Sequence, residues 1–257
     1  MKFLWMFTSE IKYGLIMQKR YLFDILAGIV NILLFVIFIQ LGIHSLQGDI
    51  SSAALGTKLS SVIIGFFTFI VISSGIMLVA NNITEGATTG TLEQTMLTPF
   101  GAEYVLLSRT IVGSVVNLLI CLILIPISML ICRHWFSIDI GMLFVLLVPL
   151  WLSCWGVGFI LGAFALIFKR VQSFMNLTQF LILSLMVVPS YPFNLYSLLP
   201  ISSEATTMNR VLAVGNSVTS EWVLFLYLHG LIYLILGILI FKLGERYACN
   251  KGILGQY

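Results

Sequence analysis

Six long stretches nearly free of charge dominate this chain: Leu22–His44, Ser60–Ala80, Val105–Cys132, Met142–Phe168, Phe174–Pro189 and Trp222–Phe241. A membrane-crossing helix needs about 20 apolar residues at roughly 1.5 Å each. Each stretch is read as a span, the fifth being the shortest. Lipid offers the backbone no hydrogen bonds, so only helices or closed barrels cross it. The stretches are continuously apolar and lack the alternation of barrel strands. The expected fold is an all-α integral membrane protein with six transmembrane helices. Composition agrees. Hydrophobic residues make up 60 % of the 257 and charged residues 9 %, against about 25 % charged in a soluble domain. That excludes an ordinary soluble enzyme, a disordered chain and a nucleic-acid binder.

The basic residues set the expected orientation, because lysine and arginine collect on the cytoplasmic side. With the N-terminus inside, Lys2, Lys12, Lys19, Arg20, Arg109, Lys169, Arg170, Lys242, Arg246 and Lys251 fall inside. Only Lys58, Arg133 and Arg210 fall outside, which completes the 13 basic residues. Both termini are therefore expected in the cytoplasm, and the protein in the plasma or inner membrane. Charges throughout the first twenty residues argue against a cleavable signal peptide.

Residues 1–21 carry Phe3, Leu4, Phe7, Ile11, Leu15 and Ile16 on a helical period among basic charges. This predicts an interfacial amphipathic helix. Residues 81–104 form an expected cytoplasmic loop, and 45–59 an outer one. Residues 190–221 form an expected extracellular segment, whose apolar piece Phe193–Ile201 is too short to span and suits a short interfacial or re-entrant element. The whole chain reads as a single transmembrane domain.

Several chemistries lack their residues. There is no Gly-x4-Gly-Lys-Ser/Thr phosphate loop, no H-E-x-x-H and no G-x-S-x-G. Cys121, Cys132, Cys154 and Cys249 contain no C-x-x-C and read as buried hydrophobes. His44, His134 and His229 are widely separated and read as interfacial or hydrogen-bonded, not as metal ligands. No acidic residue falls near the centre of an expected span; Asp24 sits one helical turn from Arg20, where it would pair. A proton relay therefore has no evident residues. The polar residues within spans are amides: Asn31, Gln40, Asn117, Asn176 and Gln179. They serve either as interhelical hydrogen bonds or as lining for a substrate path. Asn31, Gln40, Asn117 and Gln179 are the candidates for lining. The fourth span holds Gly156, Gly158 and Gly162, a small-residue face that packs helices within one chain or between chains.

The loop after the second span is the most informative stretch. Thr91-Leu92-Glu93-Gln94 fits a capping box, and Glu93 suits a helix N-terminus. Pro99 ends the segment. Leu92, Met96 and Leu97 give an apolar face. A short capped helix over Thr91–Thr98 is predicted, with a face that must dock on something.

Gly90-Thr91-Leu92-Glu93 followed by Pro99 resembles the signature of the membrane subunits of type 2 ATP-binding cassette (ABC) exporters. The tail Gly244-Glu245-Arg246-Tyr247, then Lys251-Gly252-Ile253-Leu254-Gly255, is also similar. The resemblance covers the whole chain. It implies a permease that pairs with separate ATPase subunits, two of each. The second permease would be another copy (a homodimer) or a related chain (a heterodimer). The loop helix would enter a cleft of the ATPase, with Glu85, Gly90, Thr91, Leu92, Glu93, Gln94, Met96 and Pro99 as coupling residues. Residues 1–21 would rest beside it. The permease itself would be no enzyme and would hold no cofactor; ATP and magnesium would sit in the partner. The chain departs from the family at Ala87, Thr88 and Thr89, where a basic–acidic pair often stands. It also lacks the Asn-Pro often found before the last span.

The expected function is outward movement of a hydrophobic or amphipathic substrate, such as a drug-like molecule, a peptide or a lipid. The rival readings are an ATP-independent secondary transporter or channel, a non-transporting membrane anchor or assembly factor, and a membrane-embedded enzyme.

Overall fold

Two of the helices extend well past the apolar stretches that announce them. The computed structural model describes residues 8–12, 14, 16, 22–45, 52–88, 90, 91, 94, 95, 98, 101–168 and 172–251. The main helices are Leu22–Ser45 (α1), Ser52–Thr88 (α2), Ala102–Ile131 (α3), Ile140–Ile167 (α4), Gln172–Val187 (α5), Ser202–Met208 (α6) and Ser220–Asn250 (α7). No strand occurs among the described residues. The all-α expectation is met. Among the described residues, four segments are long and apolar enough to cross a membrane: Lys58–Ala87, Ala102–Ile131, Ile140–Ile167 and Ser220–Asn250. An apolar helix over Ser173–Val187 is shorter.

The boundaries correct the sequence reading in three places. Residues 52–59, expected in the outer loop, and 81–88, expected in the inner loop, belong to α2. The last helix continues nine residues past Phe241, to Asn250. The reason is that hydropathy tracks the apolar solvent, whereas the helix tracks packing. Asn81, Asn82, Thr84 and Glu85 end the apolar run, yet Ile83 among them is 1 % exposed. The Thr84 hydroxyl turns back onto the carbonyls of Ala80 and Asn81 at 3.2 and 3.1 Å.

Helix α4 forms the centre, packed most extensively on α7 and then on α2. Its seam with α7 is built from residues with little or no side chain. A Cβ on Gly230 would lie 2.7 Å from the Pro149 carbonyl oxygen, and one on Gly244 would lie 3.0 Å from Ala163 Cβ. Between them, Gly237 lies on the backbone of Gly156. Both helices advance by seven residues per contact and in the same sense, so they are parallel. A seven-residue repeat keeps one seam in register over several turns.

Gly75 against Cys154, Gly158 against Ile76 and Gly162 against Val79 and Ile83 make α2 and α4 parallel as well. Gly113 against Leu78 and Gly56 against His134 make α3 antiparallel to α2. The small residues of α4 thus pack within this chain, which decides between the two readings left open. Parallel neighbours need a return path. Between α4 and α7 it is supplied by α5, about 24 Å of helix at 1.5 Å per residue, and by residues 188–219.

That return segment is irregular, with a 3₁₀ turn at Leu195–Leu198 and a π turn at Asn209–Ala213 flanking α6. Irregular backbone inside apolar surroundings must find internal partners. Here serine and threonine supply many of them. Ser202 Oγ donates to the Tyr196 carbonyl at 2.9 Å, and Ser203 Oγ to that of Ser197 at 2.8 Å. Asn194 Nδ2 donates to the Pro189 carbonyl at 3.0 Å, and Thr206 Oγ1 to that of Val188 at 3.2 Å. Ser190, Ser197, Ser202, Ser203 and Thr207 are all buried. The hydroxyls of this stretch are internal struts.

Candidate functional site

Two places concentrate polar side chains at helix ends and within the bundle. The first is the junction between α2 and α3. Gly90 has φ +70°, the left-handed region that favours glycine. Its N–H donates to the Ala87 carbonyl at 3.3 Å, and the Thr91 N–H to that of Gly86 at 2.9 Å. This pair of bonds is a Schellman stop, with Gly90 at the C′ position. A new helical turn follows at once. The Thr95 N–H donates to the Thr91 carbonyl at 3.1 Å, Gln94 and Thr95 are helical, and Thr95 is buried. The Gly-Thr dipeptide therefore closes one helix and opens the next. Glu85, Gly90, Thr91 and Gln94 are exposed there; Leu92, Glu93, Met96 and Pro99 lie outside the described residues.

Ion pairs brace the same end. Glu103, in the first turn of α3, meets Lys242 of α7 at 2.8 Å. Arg109, two turns further into α3, pairs with Glu10 at 3.0 Å. Residues 8–12 are helical, and a Cβ on Gly14 would meet Val112 of α3 at 2.9 Å. The N-terminal helix thus runs along α3 with two contact points. Burial, then the Glu103 carboxylate, pushes the Glu245 carboxyl above its ordinary value, against the pull of Lys242 and Arg246. An acid raised in this way favours folding while protonated. The contribution fades as pH rises from the ordinary carboxylate range through the folded value. Glu245→Gln is therefore expected to raise the unfolding temperature at neutral pH and to leave it unchanged near about pH 3, where the glutamate is neutral in both the folded and the unfolded chain. A thermal-melt series across pH in detergent would check this.

The second place was not foreseen. Glu204, on α6, is 1 % exposed. Its Oε1 accepts from Ser153 Oγ at 2.6 Å and lies 2.9 Å from His229 Nδ1. Its Oε2 is buried without a hydrogen-bond partner among the described residues. His229 Nε2 lies 3.4 Å from the Leu198 carbonyl, which also accepts from Tyr233 Oη at 2.7 Å. Ser153 stands halfway along α4, about 20 Å from its start. No acid lies near the centre of an expected span, yet α6, from the expected extracellular segment, carries Glu204 into the bundle to the level of the α4 midpoint.

Both ring nitrogens of His229 face oxygen atoms. Nδ1 and Oε1 stand close enough to share a hydrogen bond, whichever of the two carries the proton. The readings of His229 and His134 as hydrogen-bonded residues hold. His134 Nε2 lies 3.0 Å from Ser60 Oγ. The side chain of His44 lies outside the described residues.

The amides proposed to line a path are not brought together. Asn31 and Gln179 are exposed and Asn117 is half-buried; the side chain of Gln40 lies outside the described residues. None of Asn31, Asn117 and Gln179 lines the large cavity of 780 Å³ between α2, α5 and the return segment. Cys121, Cys132 and Cys154 are buried and Cys249 is exposed, all as free thiols. Among the described residues, no group of three or more His, Cys, Asp or Glu side chains is placed to hold a metal ion. A scan against protein-family models and a search of curated proteins find no match to this chain.

Proposed function

We propose that this chain is the permease subunit of a type 2 ABC exporter, moving a hydrophobic or amphipathic molecule outward across the plasma or inner membrane. The observation that carries the reading is the α2–α3 junction. There, the Gly90 helix stop is followed within one residue by a helical turn with exposed Thr91 and Gln94. Such a turn, braced by Glu103–Lys242 and beside Glu10–Arg109, offers a firm lever for a soluble partner. The six-span topology with cytoplasmic termini is part of the proposal. It is supported by the parallel run of α2, α4 and α7, which requires α3 and α5 as returns, and by the basic residues at the junction end.

The partner is an ATPase bearing the phosphate loop this chain lacks, in two copies, with a second permease completing the assembly. Purifying the full chain with the product of an adjacent ATPase gene tests this. A stable complex is expected, in which Glu93→Lys lowers permease-stimulated ATP hydrolysis by about ten-fold, the scale of a lost charge-assisted contact. Failure of any phosphate-loop ATPase to co-purify, or a Glu93→Lys chain that stimulates normally, would sink the reading.

One observation favours a second reading, an ATP-independent proton-coupled transporter: the buried Glu204–His229 pair, 2.9 Å apart. Intramembrane acids paired with histidine are typical proton carriers. Transport into vesicles separates the two. An exporter stops on ATP depletion and persists with a protonophore, and a coupled carrier does the reverse.

A further inference from the structure

The cavity of 780 Å³ is within the size range of a pocket for a drug-sized molecule. Its walls are apolar, with Phe66 and Phe69 from α2 and Leu183, Met186 and Val187 from α5. It also holds one cation, Arg210, and no acidic residue among its described lining. Arg210 lies in the π turn that follows α6, a local geometry often found at functional sites. Its guanidinium carbon stands 4.2 Å above the Tyr191 ring centroid, and its Nε is buried with no hydrogen-bond partner among the described residues. Asn209 beside it is tied to the Ser61 carbonyl at 2.9 Å, which anchors the turn to α2.

A guanidinium stacked on an aromatic face has already lost much of its conformational freedom. Its unused donors match a carboxylate or phosphate fork. Low-dielectric walls strengthen that attraction and disfavour a second cation. We infer that this cavity binds an amphipathic anion: Arg210 receives the carboxylate or phosphate, and the α2–α5 walls take the apolar tail. The inference rests on the exporter reading and narrows its cargo, because neutral and cationic amphiphiles gain nothing from Arg210.

The test uses the purified full chain in phosphatidylcholine nanodiscs, a diazirine-bearing long-chain fatty acid and the methyl ester of the same probe. Cross-linked peptides are mapped by mass spectrometry. The acid is expected to label the segments holding Phe66, Phe69 and Met186, and the ester to label them about ten-fold less. Arg210→Gln should lower labelling by the acid about ten-fold and leave the ester unchanged, the scale of one lost charge-assisted hydrogen bond. Arg210→Lys keeps the charge but not the stacked fork, so it should label between the parent and Arg210→Gln, which separates loss of charge from loss of fold. Equal labelling by acid and ester, or indifference to Arg210→Gln, overturns the inference. So does the absence of label on these walls. Loss of the acid's labelling in phosphatidylglycerol nanodiscs would assign Arg210 to bilayer headgroups and overturn a cargo site. None of these readouts needs an ATPase, so their failure is distinct from failure of co-purification.

Discussion

His229→Ala is expected to destabilise the chain by about 3–5 kcal/mol, the cost of leaving a buried charge without its partner. His229 is 5 % exposed and Glu204 1 %. With the imidazole gone, Glu204 Oε1 keeps only the Ser153 hydroxyl at 2.6 Å, and Oε2 has no hydrogen-bond partner among the described residues. A heated sample analysed by size exclusion should show His229→Ala lost well below the temperature at which the parent chain is lost.

The companion variant makes the cause specific. Glu204→Gln in the His229→Ala background removes the charge and keeps the shape. It should recover most of the lost stability, a non-additivity that neighbours sharing one interaction display. If the double variant is as unstable as the single, the histidine acts by filling space and not by balancing charge. If His229→Ala is as stable as the parent, Glu204 is held as the neutral acid without help from the ring. The pair also bears on the energy source. A carrier that moves protons through this pair should lose proton-driven transport with Glu204→Gln, whereas an ATP-driven exporter with a structural pair should keep its cargo flux.

The long apolar helices were largely legible because continuous apolarity is a local property of the sequence. What escaped was set by contacts between distant residues. Residues 81–88 are polar, so hydropathy stops where α2 does not; only the packing of Ile83 shows why it continues. Glu204 and His229 are 25 residues apart and share no period. They meet because a serine-rich segment folds inward, and serines read equally well as a solvated loop. Asn31, Asn117 and Gln179 stood out by contrast with their apolar neighbours, but contrast carries no direction, and the structure turns none of them into the cavity. Arg210 was visible as an outer basic residue and no more. The Gly90-Thr91 step was legible as a helix start, though not as the stop of the helix before it.

Gly237→Val is expected to abolish the folded chain. The seam of α4 and α7 shows why. A Cβ at Gly237 would overlap the backbone of Gly156, and a Cβ at Gly156 would overlap the Tyr233 carbonyl in return. Backbone cannot rotate away as a side chain can. The two helices would have to separate along a seam that also includes Gly230 on Pro149 and Gly244 on Ala163. Core overpacking usually costs about 1–3 kcal/mol when side chains can adjust; here nothing at the contact can, so the loss should exceed that range. Gly156→Val should behave alike.

The control is Gly28→Ala in α1, where an added Cβ meets nothing within 4 Å. It is expected to be neutral or to stabilise by up to about 1 kcal/mol, the helix propensity of alanine over glycine. Yield of monodisperse protein after membrane extraction distinguishes the two substitutions directly. A Gly237→Val chain that extracts and melts like the parent would mean that α4 and α7 are not held at this distance, and with them the parallel arrangement that places Glu204 between Ser153 and His229 would fall.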